Sequence, residues 1–201
     1  MRGGALRTVS ATDRSRWDAR HAAADDVVPL APDALRGRED LVPTAGRALD
    51  VACGRGGVAL WLAGRGLAVD AVDVSSVGLQ AGAHRAADLP VRWWCYDLDT
   101  GLPPGCTGPY DVVVVQRFRD PALYPALAAA LAPGGLLVVT VLSEVDEGHG
   151  PWRAPPGELQ AAFAALDVLV HTEANGEASL IALNPAPDPT PGSPRRPPPP
   201  S

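Results

Sequence analysis

The sequence predicts a doubly wound α/β fold built around a mostly parallel sheet. Short apolar runs alternate along the chain with segments of helical periodicity, as in repeated strand–helix units. A glycine-rich turn follows the first of these runs, and the run 110–115 is apolar almost throughout, as in a central strand covered on both faces. Right-handed crossovers between such units place helices on both faces of one sheet.

Composition limits the organisation and the partners of the chain. Its 201 residues, 46% hydrophobic, suffice for one α/β domain, predicted at 12–184 between a disordered N-terminus (1–11) and a disordered proline-rich tail (185–201). The tail has the composition that proline-recognition modules bind, although a tail without function is the favoured explanation. A net charge of −6 disfavours nucleic acid. No membrane span, signal-peptide core or metal-ligand spacing is visible, so we expect a cytoplasmic protein without a metal.

The elements before and around the first strand can be placed in order. Thr12 or Asp13 is expected to cap a helix that continues to about residue 24. After a proline-punctuated connection, the first strand contains Asp50 near its end, a glycine turn covers 54–57, and a helix follows to about residue 64. Glycines in such a turn permit positive φ and close approach of a ligand to the main chain.

Two kinds of ligand fit this turn. Residues 54–59 satisfy the dinucleotide pattern G-x-G-x-x-A, which would hold a pyrophosphate at the helix N-terminus. Asp50 argues against it, because a carboxylate repels a pyrophosphate and attracts a cation. S-adenosylmethionine has no phosphate and carries a sulfonium and an α-ammonium group, so the sequence favours it.

The segment 49–56, Leu-Asp-Val-Ala-Cys-Gly-Arg-Gly, resembles the first motif of class I S-adenosylmethionine-dependent methyltransferases. Ala52 stands where many members have the first glycine. The resemblance implies a Rossmann-like methyltransferase fold of seven strands, the last antiparallel to the rest. It also implies a cofactor loop formed by Asp50, Ala52, Cys53, Gly54 and Gly56.

The segment 17–21, Trp-Asp-Ala-Arg-His, resembles the W-D-x-R-Y segment of the tellurite-resistance type and its small-molecule relatives, where it lies across the cofactor pocket. His21 replaces the tyrosine. This resemblance suggests small, soft or anionic methyl acceptors. An amphipathic surface helix that buries Trp17 explains the same residues.

The second and third strands end in further acids. Asp73 follows the first strand by about 20 residues, where one carboxylate accepts two ribose hydroxyls, with Val74 beside it. The alternative for Asp73 is a helix cap, a role that Ser75 also fits. After the third strand, the resemblance implies that Asp97 accepts from the adenine amine and that the backbone of Leu98 meets the ring. An Asx-turn is the alternative.

The second half of the chain completes the sheet. Gln116 and Arg117 end the central strand and are candidate wall residues of the site, and no Asn/Asp-Pro-Pro-aromatic tetrad follows them. A helix is predicted from Pro121 to Leu131, then a strand over 136–142 and a helix over 158–166. The final hairpin turns at Asn175-Gly176, a strong turn signal.

These observations predict an S-adenosylmethionine-dependent methyltransferase that acts on a small molecule. Methyl transfer is an in-line displacement at an activated carbon, so orientation of the acceptor can suffice and a base is optional. The candidate bases are His21, Glu144 and His149, and the polar excursion 144–156 shows no recognisable triad or dyad. Two alternatives stay open: a protein that binds the cofactor without turnover, and a nicotinamide-dependent oxidoreductase.

Overall fold

The computed structural model describes residues 11–24 and 26–186 and confirms the predicted fold class. One seven-stranded sheet has the order β3-β2-β1-β4-β5-β7-β6, in which β7 runs antiparallel to β5 and β6 and the other pairs are parallel. The elements are α1 Ala11–Ala22, β1 Gly46–Val51, α2 Gly57–Gly64, β2 Leu67–Asp73, α3 Ser76–Ala86, β3 Val91–Cys95, β4 Tyr110–Gln116, α4 Tyr124–Ala129, β5 Leu131–Leu142, α5 Glu158–Ala162, β6 Asp167–Ala174 and β7 Glu177–Leu183.

The core lies on both faces of the sheet. On one face, α4 and α5 pack against strand residues such as Val113 and Leu180. On the other face, α2 and a short helical turn at Asp33–Leu35 cover residues such as Val112 and Val138. Because β4 is buried on both faces, it reads as a continuous apolar run, as predicted.

The final hairpin forms at the predicted turn. Asn175 and Gly176 have φ values of 51° and 76°, the left-handed conformations that a type I′ turn requires at both central positions. The turn fixes the register in which Ser179 lies between Thr172 on β6 and Thr140 on β5.

Several helix boundaries differ from those predicted. Thr12 and Asp13 lie inside α1 and do not precede it. Helix α4 begins at Tyr124, because Pro125 has no N–H to donate and is tolerated only in a first turn. The chain joins the sheet at Leu131, five residues before the expected strand, since the carbonyl of Ala130 already accepts from the amide of Tyr110.

The structure assigns Asp70 a structural role in the middle of β2. Its buried carboxylate accepts from Trp94 Nε1 at 2.9 Å, from the hydroxyl of Tyr110 at 2.9 Å and from Arg47 Nη2 at 3.1 Å. Buried carboxylates require such partners. Asp70 is thus distinct from Asp73, which is the last residue of the strand.

Two predicted segments fall mainly outside the described residues. The expected disordered N-terminus, 1–11, is described only at Ala11, which belongs to α1. The proline-rich tail, 185–201, is described only at its first two residues. Within 11–24 and 26–186, no helix is long and apolar enough to cross a membrane.

Candidate functional site

The glycine loop lies where the winding of the sheet reverses. Strand β1 pairs with β2 on one side and with β4 on the other, so the connections leaving β1 and β4 run in opposite directions. In open α/β sheets this arrangement opens a crevice at the carboxyl ends of the strands. The loop from Ala52 to α2 lies at that crevice. Gly54 and Gly56 have positive φ, 56° and 75°, and Gly56 precedes the first residue of α2.

Ala52 also adopts a left-handed conformation, with φ of 54°. This explains why glycine suits the position in the resembled motif, since a Cβ in this region costs about 1 kcal/mol. We expect Ala52→Gly to raise the free energy of unfolding by about 0.5–1 kcal/mol, because the relief of strain exceeds the entropy that glycine adds to the unfolded chain.

Urea denaturation of the two proteins measures this difference. Ala71→Gly is the matched control, because Ala71 is buried in β2 without positive φ and should lose stability on the same change. A lower stability of Ala52→Gly would mean that the methyl group of Ala52 makes contacts that outweigh the strain.

Asp73 organises the loop from the end of β2. One carboxylate oxygen accepts from the amide of Gly54 at 2.7 Å, and the other accepts from the amide of Ser75 at 2.8 Å. Ser75 caps α3 by accepting from the amide of Gly78 at 3.1 Å. The cap therefore belongs to Ser75, and the two bonds to Asp73 leave acceptor capacity on its carboxylate.

Asp50 is a buried carboxyl group beneath the loop. It is 1% exposed, and its Oδ2 has no hydrogen-bond partner within the described residues. Burial raises the pKa of Asp50 to about 8, the amide of Ala59 opposes this shift, and the negative charge of Asp73 adds to it. An orphaned buried carboxyl oxygen is rare in proteins and indicates a missing partner.

Helix α1 packs over the crevice, where the resemblance implied it would lie. Asp18 accepts from the hydroxyl of Ser75 at 2.5 Å and from the amide of Val77 at 3.3 Å, so α1 is attached to the start of α3. The ring of His21 stacks on Trp17 with centroids 5.9 Å apart.

His21 lies against the glycine loop. A Cβ added at Gly54 would lie 3.1 Å from His21 Cε1, and one added at Gly78 would lie 3.1 Å from Cδ2. Desolvation lowers the pKa of His21, Arg55 acts in the same direction, and Asp73 opposes them. The imidazole is therefore neutral at pH 7 and faces the side of the crevice that carries Asp73.

The remaining predicted cofactor residues line the carboxyl ends of β1 to β4. Asp97 accepts from the amide of Asp99 at 3.0 Å, so it starts the short helical turn Leu98–Thr100 as the Asx alternative described. The side chain of Leu98 packs in the core, which leaves only its backbone for a ligand. The amide of Cys53 donates to Val72, and the carbonyl of Val74 lies 3.6 Å from Cys95 Sγ.

Gln116 ends β4 with its amide turned along the sheet. Its Nε2 donates to the carbonyl of Val115 at 3.0 Å and to Thr140 Oγ1 at 3.4 Å. No local pattern points to Thr140, which lies 24 positions away and reaches Gln116 only through the pairing of β4 with β5. For all these residues, cofactor contact stays a prediction.

Glu144 and His149 form a pair, although no dyad was predicted in this segment. His149 Nδ1 lies 2.7 Å from Glu144 Oε2, and the His149 side chain is 92% exposed. Glu144 contributes to the electrostatic environment of Arg119, which binds Glu158 of α5. The pair therefore stands on the α4–α5 side of the sheet, whereas His21 and the glycine loop stand on the α2–α3 side.

A metal centre is not visible among the residues that the structure describes, where no group of three or more His, Cys, Asp or Glu side chains could hold an ion. The residues do fit an organic cofactor. The unpartnered oxygen of Asp50 suits a cationic group, and the remaining hydrogen-bond acceptor capacity of Asp73 suits ribose hydroxyls.

Comparisons with known proteins agree with this geometry. Residues 48–135 match the sequence profile of a family described as a methyltransferase domain. The chain is 32% identical over 152 residues to the ubiquinone biosynthesis O-methyltransferase of Caulobacter sp. (strain K31). The match covers 62% of this chain and 60% of that relative. The chain thus spans about 60% of that relative's length.

Two solved structures share the fold. TehB from Haemophilus influenzae superposes with a TM-score of 0.65 at 18% identity, over 77% of this chain and 62% of that one. The [4+2]-cyclase SpnF superposes with a TM-score of 0.63 at 17% identity, over 86% of this chain and 93% of that one. At these identities the likeness concerns the fold alone. The sequence profile, the glycine loop and the strand order agree with one another: residues 48–135 match a methyltransferase domain, and they lie within the seven-stranded α/β sheet described above.

Proposed function

We propose that this protein transfers the methyl group of S-adenosylmethionine to a small-molecule acceptor. The observation that carries the proposal is Asp50, a buried carboxyl group whose Oδ2 has no partner among the described residues and which lies beneath a glycine loop. A cationic ligand at the crevice stabilises the charged form of such a group. A pyrophosphate would instead add negative charge next to Asp50 and Asp73, so a nicotinamide cofactor fits poorly.

The roles of the residues follow from their places in the crevice. Asp73 would accept from the ribose hydroxyls while it holds the amide of Gly54, and Asp97 would accept from the adenine amine beyond it. His21 would cover the ribose side, since its ring lies against Gly54 and Gly78 and feels the charge of Asp73. When bound, S-adenosylmethionine supplies a methyl group activated by a sulfonium, so the chain acts by orienting the acceptor and excluding water.

None of the three candidate bases is required by this chemistry. His21 faces the ribose side of the crevice, and the pair of Glu144 and His149 stands on the α4–α5 side. An acceptor with an acidic proton can lose it to water before or during transfer. We therefore propose His21 as a cofactor-contacting residue and assign no base.

A second candidate function is cofactor binding without methyl transfer. The fold it shares with a protein described as a [4+2]-cyclase supports this alternative, because the same architecture can serve another reaction. Ala52 in place of glycine and His21 in place of tyrosine are changes that such a protein would tolerate.

Calorimetric titration tests the proposal. We expect S-adenosylmethionine and S-adenosylhomocysteine to bind the purified protein with micromolar affinity, and NADH to give no heat. Binding of NADH alone would contradict the assignment of Asp50. If both adenosyl compounds bind, release of S-adenosylhomocysteine during incubation with candidate acceptors distinguishes an enzyme from a binding protein.

The cellular setting is part of the proposal. Cys53, Cys95 and Cys106 are free, which supports the predicted reducing cytoplasm. Burial raises the pKa of the Cys53 thiol well above its ordinary value, so the residue stays uncharged beside the glycine loop. The expected partner is the small-molecule acceptor.

A further inference from the structure

A row of uncharged polar side chains crosses the sheet next to the glycine loop. Strand register aligns Gln116 of β4 with Thr140 of β5, Thr140 with Ser179 of β7, and Ser179 with Thr172 of β6. Gln116 Nε2 lies 3.4 Å from Thr140 Oγ1, and the hydroxyls of Thr140 and Ser179 lie 3.0 Å apart. These four residues, called the polar row below, therefore share one face of the sheet.

The polar row continues the cofactor crevice. On β1 and β4, Asp50 aligns with Val114, so Gln116 projects from the same face as Asp50, two residues nearer the carboxyl ends of the strands. The row thus begins beside the glycine loop and runs away from Asp73. Asp50, whose Oδ2 is buried and unpartnered within the described residues, independently indicates a ligand at the near end of the row.

The polar row offers hydrogen bonds without net charge. Its amide and hydroxyl groups both donate and accept. At its rim, Arg117 follows Gln116 and binds Glu177 at 2.8 Å, so these two charges neutralise each other. Asp73 lies on the cofactor side of the row, and its carboxylate would repel an anionic molecule bound beside the glycine loop.

An apolar surface borders the same region. The segment 26–32 passes the loop, where the amide of Leu30 donates to the carbonyl of Gly57 at 3.1 Å, and it continues to Leu35, which packs under β5 and β7. Val28 and Leu30 on this segment are 67% and 63% exposed. A ring could therefore lie against aliphatic groups while its substituents reach the polar row.

We propose that the polar row is the floor of the acceptor site and that the acceptor is an uncharged ring compound bearing hydroxyl groups. The inference rests on the proposed methyltransferase function and names the substrate class of that site. Neighbouring strands lie about 4.8 Å apart, so Gln116 to Ser179 spans about 10 Å, the size of one or two fused rings. In the transfer, an acceptor oxygen bonds to the methyl carbon, the carbon–sulfur bond breaks with its electron pair going to sulfur, and the hydroxyl proton leaves to water.

Binding to the protein saturated with S-adenosylhomocysteine tests this inference. The probes are 2,3-dihydroxynaphthalene, its 6-sulfonate, which differs by one negative charge, and tellurite. By calorimetry we expect the neutral compound to bind at least tenfold more tightly than the sulfonate and the tellurite. Equal or tighter binding of either anion, or failure of the neutral compound to bind, would overturn the inference.

Variants locate the bound compound. Thr140→Val and Ser179→Ala should each lower the affinity for the neutral compound about fivefold, which is the effect of losing one hydrogen bond. Both variants should leave the affinity for S-adenosylhomocysteine unchanged. Thr107→Val makes the same change in an exposed loop and should alter neither affinity. Unchanged binding of the neutral compound by both row variants would refute the site while leaving the proposed function intact. Failure of S-adenosylhomocysteine to bind the unaltered protein would instead refute the proposed function, and the inference with it.

Discussion

Asp73→Asn should lower the affinity for S-adenosylmethionine and for S-adenosylhomocysteine at least thirtyfold. The carboxylate holds the amide of Gly54 at 2.7 Å and, in our proposal, accepts two ribose hydroxyls. Hydrogen bonds to a charged group contribute about 1.5–3 kcal/mol each, and an amide offers only one oxygen for these donors. Isothermal titration of the variant against both ligands measures the loss.

Asp88→Asn is the matched control, because Asp88 is exposed after α3 and the substitution removes the same charge. It should leave both affinities unchanged. Thermal unfolding of Asp73→Asn without ligand separates a binding defect from a folding defect, since Ser75 retains its own cap on α3. An affinity within threefold of the unaltered protein would contradict the ribose assignment.

The free energy of unfolding of Asp50→Asn should rise relative to that of the unaltered protein as pH rises. The pKa of Asp50 in the folded protein is about 8, above the value of about 3.9 in the unfolded chain. The folded state therefore holds a proton that the unfolded state releases between these values, and Asp50 costs more stability at each higher pH up to about 8. From pH 5 to pH 8 the variant should gain about 4 kcal/mol relative to the unaltered protein.

Chemical denaturation of both proteins at several pH values tests this expectation. The comparison cancels the titration of other groups, because asparagine keeps the size of the side chain and can still accept from the amide of Ala59. Parallel curves would mean that Asp50 is charged in the free protein. Saturating S-adenosylmethionine should narrow the gap, since a cation near Asp50 favours its charged form.

The elements that were predicted correctly have strong local signals. The apolar run of β4, the glycines after β1 and the turn at Asn175-Gly176 each encode a conformation in a few neighbouring residues. The prediction failed at the starts of α4 and β5. There Pro125 and the pairing of Leu131 with Tyr110 decide where the helix and strand begin.

The residues of the candidate site could likewise be predicted only where a local pattern points to them. Asp50, Asp73 and Asp97 could be predicted as cofactor-contacting residues because each lies near the end of a strand or just after it, as in the resembled family, and their contact with a cofactor stays a prediction. The pair of Glu144 and His149 was missed because a turn, without helical periodicity, brings them together. Ala52 was recognised as a departure from the motif, but only its φ of 54° shows why glycine suits the position.

The sequence by itself determined the fold class, the place of the glycine loop and the acids at the strand ends, because each depends on residues close together in the chain. Tertiary structure decided which side chains meet across the sheet. Gln116, Thr140 and Ser179 form one row only because the register of three strands aligns them. The orphaned oxygen of Asp50 likewise arises from burial, which is a property of the assembled core and not of local sequence.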